Sequence, residues 1–134
     1  MPALAEDRSL PLTAWMTEAD LKATFDGKSV EGEYPSGLTF KEEYKSGGKV
    51  SYEDEGHASA GHWSIKAGSF CTIYEGDSSG GCFRVRKSGK NCYEFFFVAR
   101  TEKAAETKDD KTPSWTARAW LDTEDSTCKQ EIGA

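Results

Sequence analysis

The chain has 134 residues, of which 37% are hydrophobic and 12% aromatic, which is enough for one domain with a modest core. Its 23 acidic residues outnumber its 17 basic residues, and the formal net charge of −6 argues against general binding to nucleic acid or to an anionic membrane. No apolar run approaches the roughly 20 residues that a membrane-spanning helix needs. We therefore expect a monomer with no membrane span and no nucleic-acid partner.

The first residues resemble the end of a signal peptide. Ala3-Leu4-Ala5 has the small-x-small pattern of a signal-peptidase site, and a polar segment follows it. No basic or long apolar region precedes the pattern, so the alternative is a chance tripeptide. We interpret residues 1–14 as a disordered remnant of a signal peptide and residues 15–134 as a single domain.

One helix is predicted near the N-terminus. Thr17 is a suitable N-cap, and Asp20 stands three residues later as its capping-box partner. Leu21 and Phe25 are spaced to share one face, and Gly27 follows as a terminator. The helix is expected to have about three turns and to need a partner surface.

After Gly27 the apolar residues recur with period two, which is typical of strands. About eight short strands are separated by Gly-rich turns, a pattern that favours an all-β fold, a small antiparallel meander β-barrel with the helix at one end. The polar stretch from Thr101 to Pro113 is predicted to be a long solvated loop. The strand-like segments are 29–34, 38–44, 50–52, 63–65, 70–74, 82–86, 92–98 and 115–121.

Four cysteines, Cys71, Cys82, Cys92 and Cys128, favour disulfides and an oxidising compartment. No CxxC motif or zinc-type spacing is present. Four cysteines permit three pairings. If the strands around Cys71 and Cys82 form a hairpin, their side chains can face each other. We predict the pairs 71–82 and 92–128 and an exported protein, periplasmic or secreted.

Several motifs between Gly27 and Val98 also carry a family resemblance. They resemble a group of small exported alphaproteobacterial proteins of unknown function. The resemblance implies export and a lipocalin-like β-barrel but no established activity, and it does not extend to Cys92 and Cys128. The motifs are Gly27-Lys28-Ser29-Val30-Glu31-Gly32, Phe40-Lys41-Glu42-Glu43-Tyr44, Gly61-His62-Trp63-Ser64-Ile65, Phe70-Cys71 and Gly81-Cys82-Phe83-Arg84-Val85.

Three groups of polar residues are candidates for chemistry. The loop 76–81 is similar to the nucleophile motif of chymotrypsin-like proteases, but those enzymes need a longer, two-barrel chain, so a hairpin loop is the better interpretation. Glu42 and Glu43 point to opposite faces of a strand, so only one can line an interior, and charged strand residues are mostly external. Weak metal-ligand candidates, favoured less than a solvated turn, are Glu53, Asp54, Glu55, His57 and His62.

Aromatic residues are the largest group of candidates for building the core or a ligand site. In a barrel of this size the interior holds either packed side chains or one small ligand. The candidate ligand-binding residues are Tyr34, Phe40, Tyr44, Tyr52, Trp63 and Trp115. We expect a non-catalytic binding module without a cofactor, for a small hydrophobic ligand or an envelope protein. The alternatives are a protein–protein interaction module or enzyme inhibitor, and a small hydrolase.

Overall fold

The computed structural model describes residues 15–75, 80–106 and 115–128. Two helices and eight strands make up this part of the chain. The helices are α1 (Glu18–Phe25) and α2 (Glu102–Glu106). The strands are β1 (Lys28–Glu33), β2 (Thr39–Lys45), β3 (Lys49–Asp54), β4 (His57–Lys66), β5 (Ser69–Tyr74), β6 (Gly80–Gly89), β7 (Cys92–Ala99) and β8 (Ala117–Leu121).

The eight strands form a closed barrel in which each strand pairs antiparallel with the next in sequence. The barrel closes through β1 and β8, where Val30 lies opposite Leu121 and Gly32 lies opposite Ala119. Closure leaves no unpaired sheet edge. The predicted all-β meander barrel is therefore confirmed.

Side chains alternate between the inside and the outside of the barrel, as the period of two predicts. On β2, Phe40, Glu42 and Tyr44 are buried while Lys41 and Glu43 are exposed. On β7 both faces are covered, and only Phe97 is partly exposed. The apolar run Phe95-Phe96-Phe97-Val98 therefore forms a strand that is covered on both faces.

Helix α1 closes one end of the barrel. The predicted capping box is present, because Thr17 Oγ1 accepts a 3.1 Å hydrogen bond from the Asp20 amide and Asp20 Oδ2 accepts one of 3.1 Å from the Thr17 amide. Leu21 and Phe25 are completely buried. The helix has eight residues, about two turns rather than the three expected. Gly27, at a φ of 77°, starts the turn into β1.

Both predicted disulfides are present, Cys71–Cys82 and Cys92–Cys128. Cys71 and Cys82 lie directly opposite each other on β5 and β6, in a small cluster separate from the main core. Cys92–Cys128 ties the segment after β8 to the start of β7. Two disulfides are typical of proteins in a non-reducing compartment.

The predicted solvated loop from Thr101 to Pro113 is wrong in its first half, where α2 forms. Ala105 on α2 is 1% exposed and packs in the cluster of the Cys71–Cys82 disulfide. Thr101 Oγ1 accepts a 3.1 Å hydrogen bond from the Ala104 amide and so caps the helix. The disulfide that Ala105 packs against is distant in sequence, so the charged pattern around Ala105 did not predict the helix.

Some predictions lie outside the described residues, namely those for residues 1–14, most of the 76–81 loop and the second half of the Thr101–Pro113 stretch. Within the described part of the chain, neither helix has the length and apolar character required to cross a bilayer.

Candidate functional site

A cavity of about 380 Å³ occupies the barrel at the end opposite α1. Its volume lies within the range of small-molecule sites. Its lining is mainly aromatic, and in the described part of the chain it contains no Lys or Arg. The lining residues are Tyr34, Phe40, Glu42, Tyr44, Tyr52, Asp54, His57, Ser59, Phe70, Thr72, Tyr74, Gly80, Phe83, Phe95, Thr116, Ala117 and Ala119.

Small residues on β1 and β8 make room for this cavity. Ala117 and Ala119 line it from β8, and Gly32 on β1 lies opposite Ala119. A Cβ atom on Gly32 would come within 2.3 Å of the Phe40 ring. Glycine at this position therefore lets the Phe40 ring lie against the barrel wall and leaves the space beside it open.

The opposite end of the barrel is filled by aromatic packing. The Phe25 ring lies 5.1 Å from that of Phe70 and 5.3 Å from that of Tyr93, measured between ring centroids. Phe70 also stacks on Trp63 at 5.6 Å. Helix α1 thus closes one end of the barrel, and the cavity lies inside the barrel beyond this packed end.

Glu42 is the central polar group of the cavity. Its carboxyl group is buried, with the residue 8% exposed, and each oxygen accepts a hydrogen bond from a tyrosine. The Tyr44 hydroxyl donates to Oε1 over 2.6 Å, and the Tyr74 hydroxyl donates to Oε2. The two donors come from β2 and β5, so Glu42 is held from two sides.

The environment of Glu42 favours its neutral form. Burial raises the pKa of Glu42 to about 7, although the hydrogen bonds from Tyr44 and Tyr74 act in the opposite direction. Burial, and next the charge of Glu42, raise the pKa of Tyr44 and of Tyr74. Both tyrosines therefore keep their hydroxyl protons and remain hydrogen-bond donors.

A second group of hydrogen-bonded side chains, separate from Glu42 and its two tyrosines, lies near the mouth of the cavity. The Tyr34 and Tyr52 hydroxyl oxygens lie 2.8 Å apart, and the Tyr52 hydroxyl donates a 2.7 Å hydrogen bond to Asp54 Oδ2. Burial raises the pKa of Tyr34, with smaller contributions in the same direction from the charges of Glu42 and Asp54. The Tyr34 hydroxyl thus lies in the electric field of both carboxylates.

Four of the six predicted ligand-binding residues line the cavity, Tyr34, Phe40, Tyr44 and Tyr52. Trp63 does not: it belongs to the packed end, where its indole Nε1 donates a 2.8 Å hydrogen bond to the Lys45 carbonyl. Trp115 is also outside the lining set, with the Arg118 guanidinium 4.5 Å from its ring centroid. The alternation of residues along a strand predicts whether a side chain points into or out of the barrel, but not its position along the barrel axis.

The weak metal-ligand candidates are dispersed. Asp54 and His57 lie opposite each other at the β3–β4 turn and line the mouth of the cavity, while Glu53, Glu55 and His62 are exposed. Throughout residues 15–75, 80–106 and 115–128, no three His, Cys, Asp or Glu side chains are grouped as metal ligands would be.

The sequence allows only one of Glu42 and Glu43 to line an interior, and the structure places Glu42 there, although charged strand residues are mostly external. The tyrosine hydroxyls of Tyr44 and Tyr74 make its interior position possible, and Tyr74 is 32 residues away in sequence. The sequence feature that indicates the interior position of Glu42 is its spacing of two residues from Phe40 and from Tyr44 on β2. Arg86 on β6 is partly buried and forms a 2.7 Å ion pair with Glu94.

Comparison with known proteins yields no relative. The chain matches no protein-family model, no curated protein and no solved structure.

Proposed function

We propose that the protein is an exported, periplasmic or secreted, non-catalytic binding module that holds a small, largely apolar ligand in the barrel cavity. The observation that carries the proposal is the cavity itself, a space of about 380 Å³ with a mainly aromatic lining and a few convergent polar groups. Two disulfides support a non-reducing compartment.

The alternative functions have less support. An inhibitor that works through a protein interface would be expected to have an exposed apolar patch. Among residues 15–75, 80–106 and 115–128, the exposed large hydrophobic residues are limited to Ile73, at 43% exposure. A hydrolase would need an acid and a base group that converge on one reacting atom, whereas the described hydrogen-bond partners of Glu42 are tyrosine hydroxyls.

The test is native mass spectrometry on protein exported into a bacterial periplasm, beside a denatured sample and a cavity-filling variant. Ala119→Leu adds bulk inside the cavity, and Ala60→Leu makes the same change at an exposed position on β4. We expect a bound small molecule, or binding of an added apolar probe such as tryptophol, in the wild type and in Ala60→Leu but not in Ala119→Leu.

Two outcomes would contradict the proposal. One is a wild type that carries nothing and binds no added indole probe at millimolar concentration. The other is binding that Ala119→Leu leaves unchanged, which would locate the ligand elsewhere. Circular dichroism of each variant checks that the barrel has folded.

A further inference from the structure

The charge of the cavity lining indicates the class of ligand. Glu42 and Asp54 contribute two carboxyl groups, and His57 contributes the one imidazole among the described lining residues, which include no Lys or Arg. The hydrogen-bond partners of the two carboxyl groups described above are tyrosine hydroxyls. Hydroxyl donors solvate a carboxylate but do not neutralise its charge. The described lining residues therefore include no Lys or Arg that could balance the charge of Glu42.

Aromatic rings surround this acidic space. The Tyr34 and Phe40 ring centroids lie 4.9 Å apart, those of Phe40 and Tyr52 5.6 Å, and those of Tyr52 and Tyr74 5.6 Å. These four rings form a connected wall, in which Phe40, Tyr52 and Tyr74 lie on β2, β3 and β5 and Tyr34 directly follows β1. The negative faces of aromatic rings attract cations, and such walls are used to bind substituted ammonium groups.

The two features point to one ligand chemistry. An anion would be repelled by the carboxylates, and a neutral apolar molecule would offer no counter-charge to Glu42, so burial would keep its carboxyl group protonated. A protonated amine with an apolar body would satisfy both features, because each Glu42 oxygen keeps acceptor capacity beyond the hydrogen bond it already receives. The apolar body would contact the rings and the Ala117–Ala119 wall.

We propose that the ligand of this cavity is an organic cation, a protonated amine attached to an apolar group, whose nitrogen is bound by Glu42 within the ring wall of Tyr34, Phe40, Tyr52 and Tyr74. This inference rests on the proposed binding function and specifies its ligand class. Asp54, on the Tyr34–Tyr52 chain, adds negative potential at the mouth and draws the cation inward.

The test uses three probes that share an indole group and differ in charge: tryptamine, tryptophol and indole-3-acetate. Isothermal titration calorimetry at pH 8 measures each against the wild type, Glu42→Gln and Glu43→Gln. Glu43 is the matched control because it is the exposed neighbour on the same strand. Glu42→Gln can keep both tyrosine contacts, since an amide oxygen accepts and an amide nitrogen donates to a hydroxyl oxygen.

In the wild type we expect tryptamine to bind about tenfold or more tighter than tryptophol, and indole-3-acetate to bind most weakly, because a charge-assisted hydrogen bond is worth more than a neutral one. Glu42→Gln should weaken tryptamine about tenfold to a hundredfold and change tryptophol by less than about threefold. Glu43→Gln should change neither.

The outcomes separate the two proposals. If tryptophol binds the wild type as tightly as tryptamine, or if Glu42→Gln leaves tryptamine affinity unchanged, the cation inference is wrong while the binding function stands. If none of the three probes binds at millimolar concentration and native mass spectrometry shows no ligand, the binding function itself fails.

Discussion

The Tyr44 hydroxyl donates a 2.6 Å hydrogen bond to Oε1 of Glu42, two residues earlier on the same strand, and both side chains lie inside the barrel. A strand places residues two apart on one face, so this contact follows from the local geometry. It holds an acidic group in a mainly aromatic cavity, and the behaviour of that group with pH is the first property to test.

The free protein should lose stability as the pH rises through the range in which Glu42 ionises. Burial raises the pKa of Glu42 to about 7 from an ordinary value of 4.5. Between these values the folded state holds a proton that the unfolded chain has released, so the free energy of unfolding falls with rising pH and the loss is complete above 7. The difference corresponds to about 3 kcal/mol.

Urea unfolding of the wild type and Glu42→Gln between pH 5 and pH 8 measures this contribution. Glu42→Gln should gain about 2–3 kcal/mol relative to the wild type on going from the lower to the higher pH. Glu43→Gln, on the outer face, should follow the wild type. If the free energy of unfolding changes with pH equally in the wild type and in Glu42→Gln, the claim that Glu42 ionises with a raised pKa is contradicted.

Tryptamine binding should weaken as the pH falls below 7, because protonated Glu42 cannot balance the cation. Below the pKa of Glu42 the affinity should fall by up to about tenfold per pH unit until it reaches the affinity of Glu42→Gln, a total loss of about tenfold to a hundredfold. Other titratable groups that face Glu42 or line the cavity are Tyr34, Tyr44, Tyr52, Tyr74, Asp54 and His57. Calorimetry of Glu42→Gln is the control, because any contribution of these other groups to the pH dependence persists in that variant. If tryptamine affinity depends on pH equally in the wild type and in Glu42→Gln, the assignment to Glu42 is wrong.

The Cys92–Cys128 disulfide should stabilise the protein more than Cys71–Cys82. The two bonds span 36 and 11 residues of sequence. Loop-closure entropy assigns about 4 kcal/mol to the longer span and about 3 kcal/mol to the shorter one. Replacing both cysteines of each disulfide by serine and measuring the free energy of unfolding tests this order. A larger loss of stability on removing Cys71–Cys82 than on removing Cys92–Cys128 would contradict the prediction.

The prediction of the fold succeeded where the signal is local. The capping box around Thr17, the period-two strands and the turn glycines each indicate one conformation over a few residues. Cys71 and Cys82 followed from the same local pattern, because they lie opposite each other in a hairpin.

The prediction of the site failed where distant residues decide the outcome. Strand parity places Glu42 inside, but the Tyr74 hydroxyl that donates to it comes from β5. Helix α2 packs because Ala105 contacts the Cys71–Cys82 cluster. Trp63 shares the interior face with the cavity residues but lies at the α1 end. None of these three features follows from the residues next to the one concerned.

Gly32 should be intolerant of substitution. A Cβ atom there would lie 2.3 Å from the Phe40 ring and 2.7 Å from the Arg118 carbonyl oxygen. Gly32→Ala should therefore cost about 1–3 kcal/mol and displace the Phe40 ring. Urea unfolding measures the loss, and Gly32→Ala should cost less in a Phe40→Leu background; an equal cost in both backgrounds would exclude the ring contact as a cause.

Phe25 should be the main anchor of α1. It is fully buried, and its ring packs against Tyr44, Phe70, Tyr93 and Phe95. Phe25→Ala should cost about 3–5 kcal/mol, whereas the exposed Lys22→Ala on the same helix should cost less than about 1 kcal/mol. Similar thermal unfolding of both variants would mean that α1 does not hold the barrel end closed.

The central claim is that the open end of the barrel is the ligand site, and NMR of protein with isotope-labelled Phe and Tyr rings tests it most directly. On addition of tryptamine, the ring signals of Tyr34, Phe40 and Tyr74 should shift while those of Phe96, which packs against Trp15 outside the main core, stay fixed. Shifts confined to Phe96, with the cavity rings unchanged at saturation, would contradict the claim.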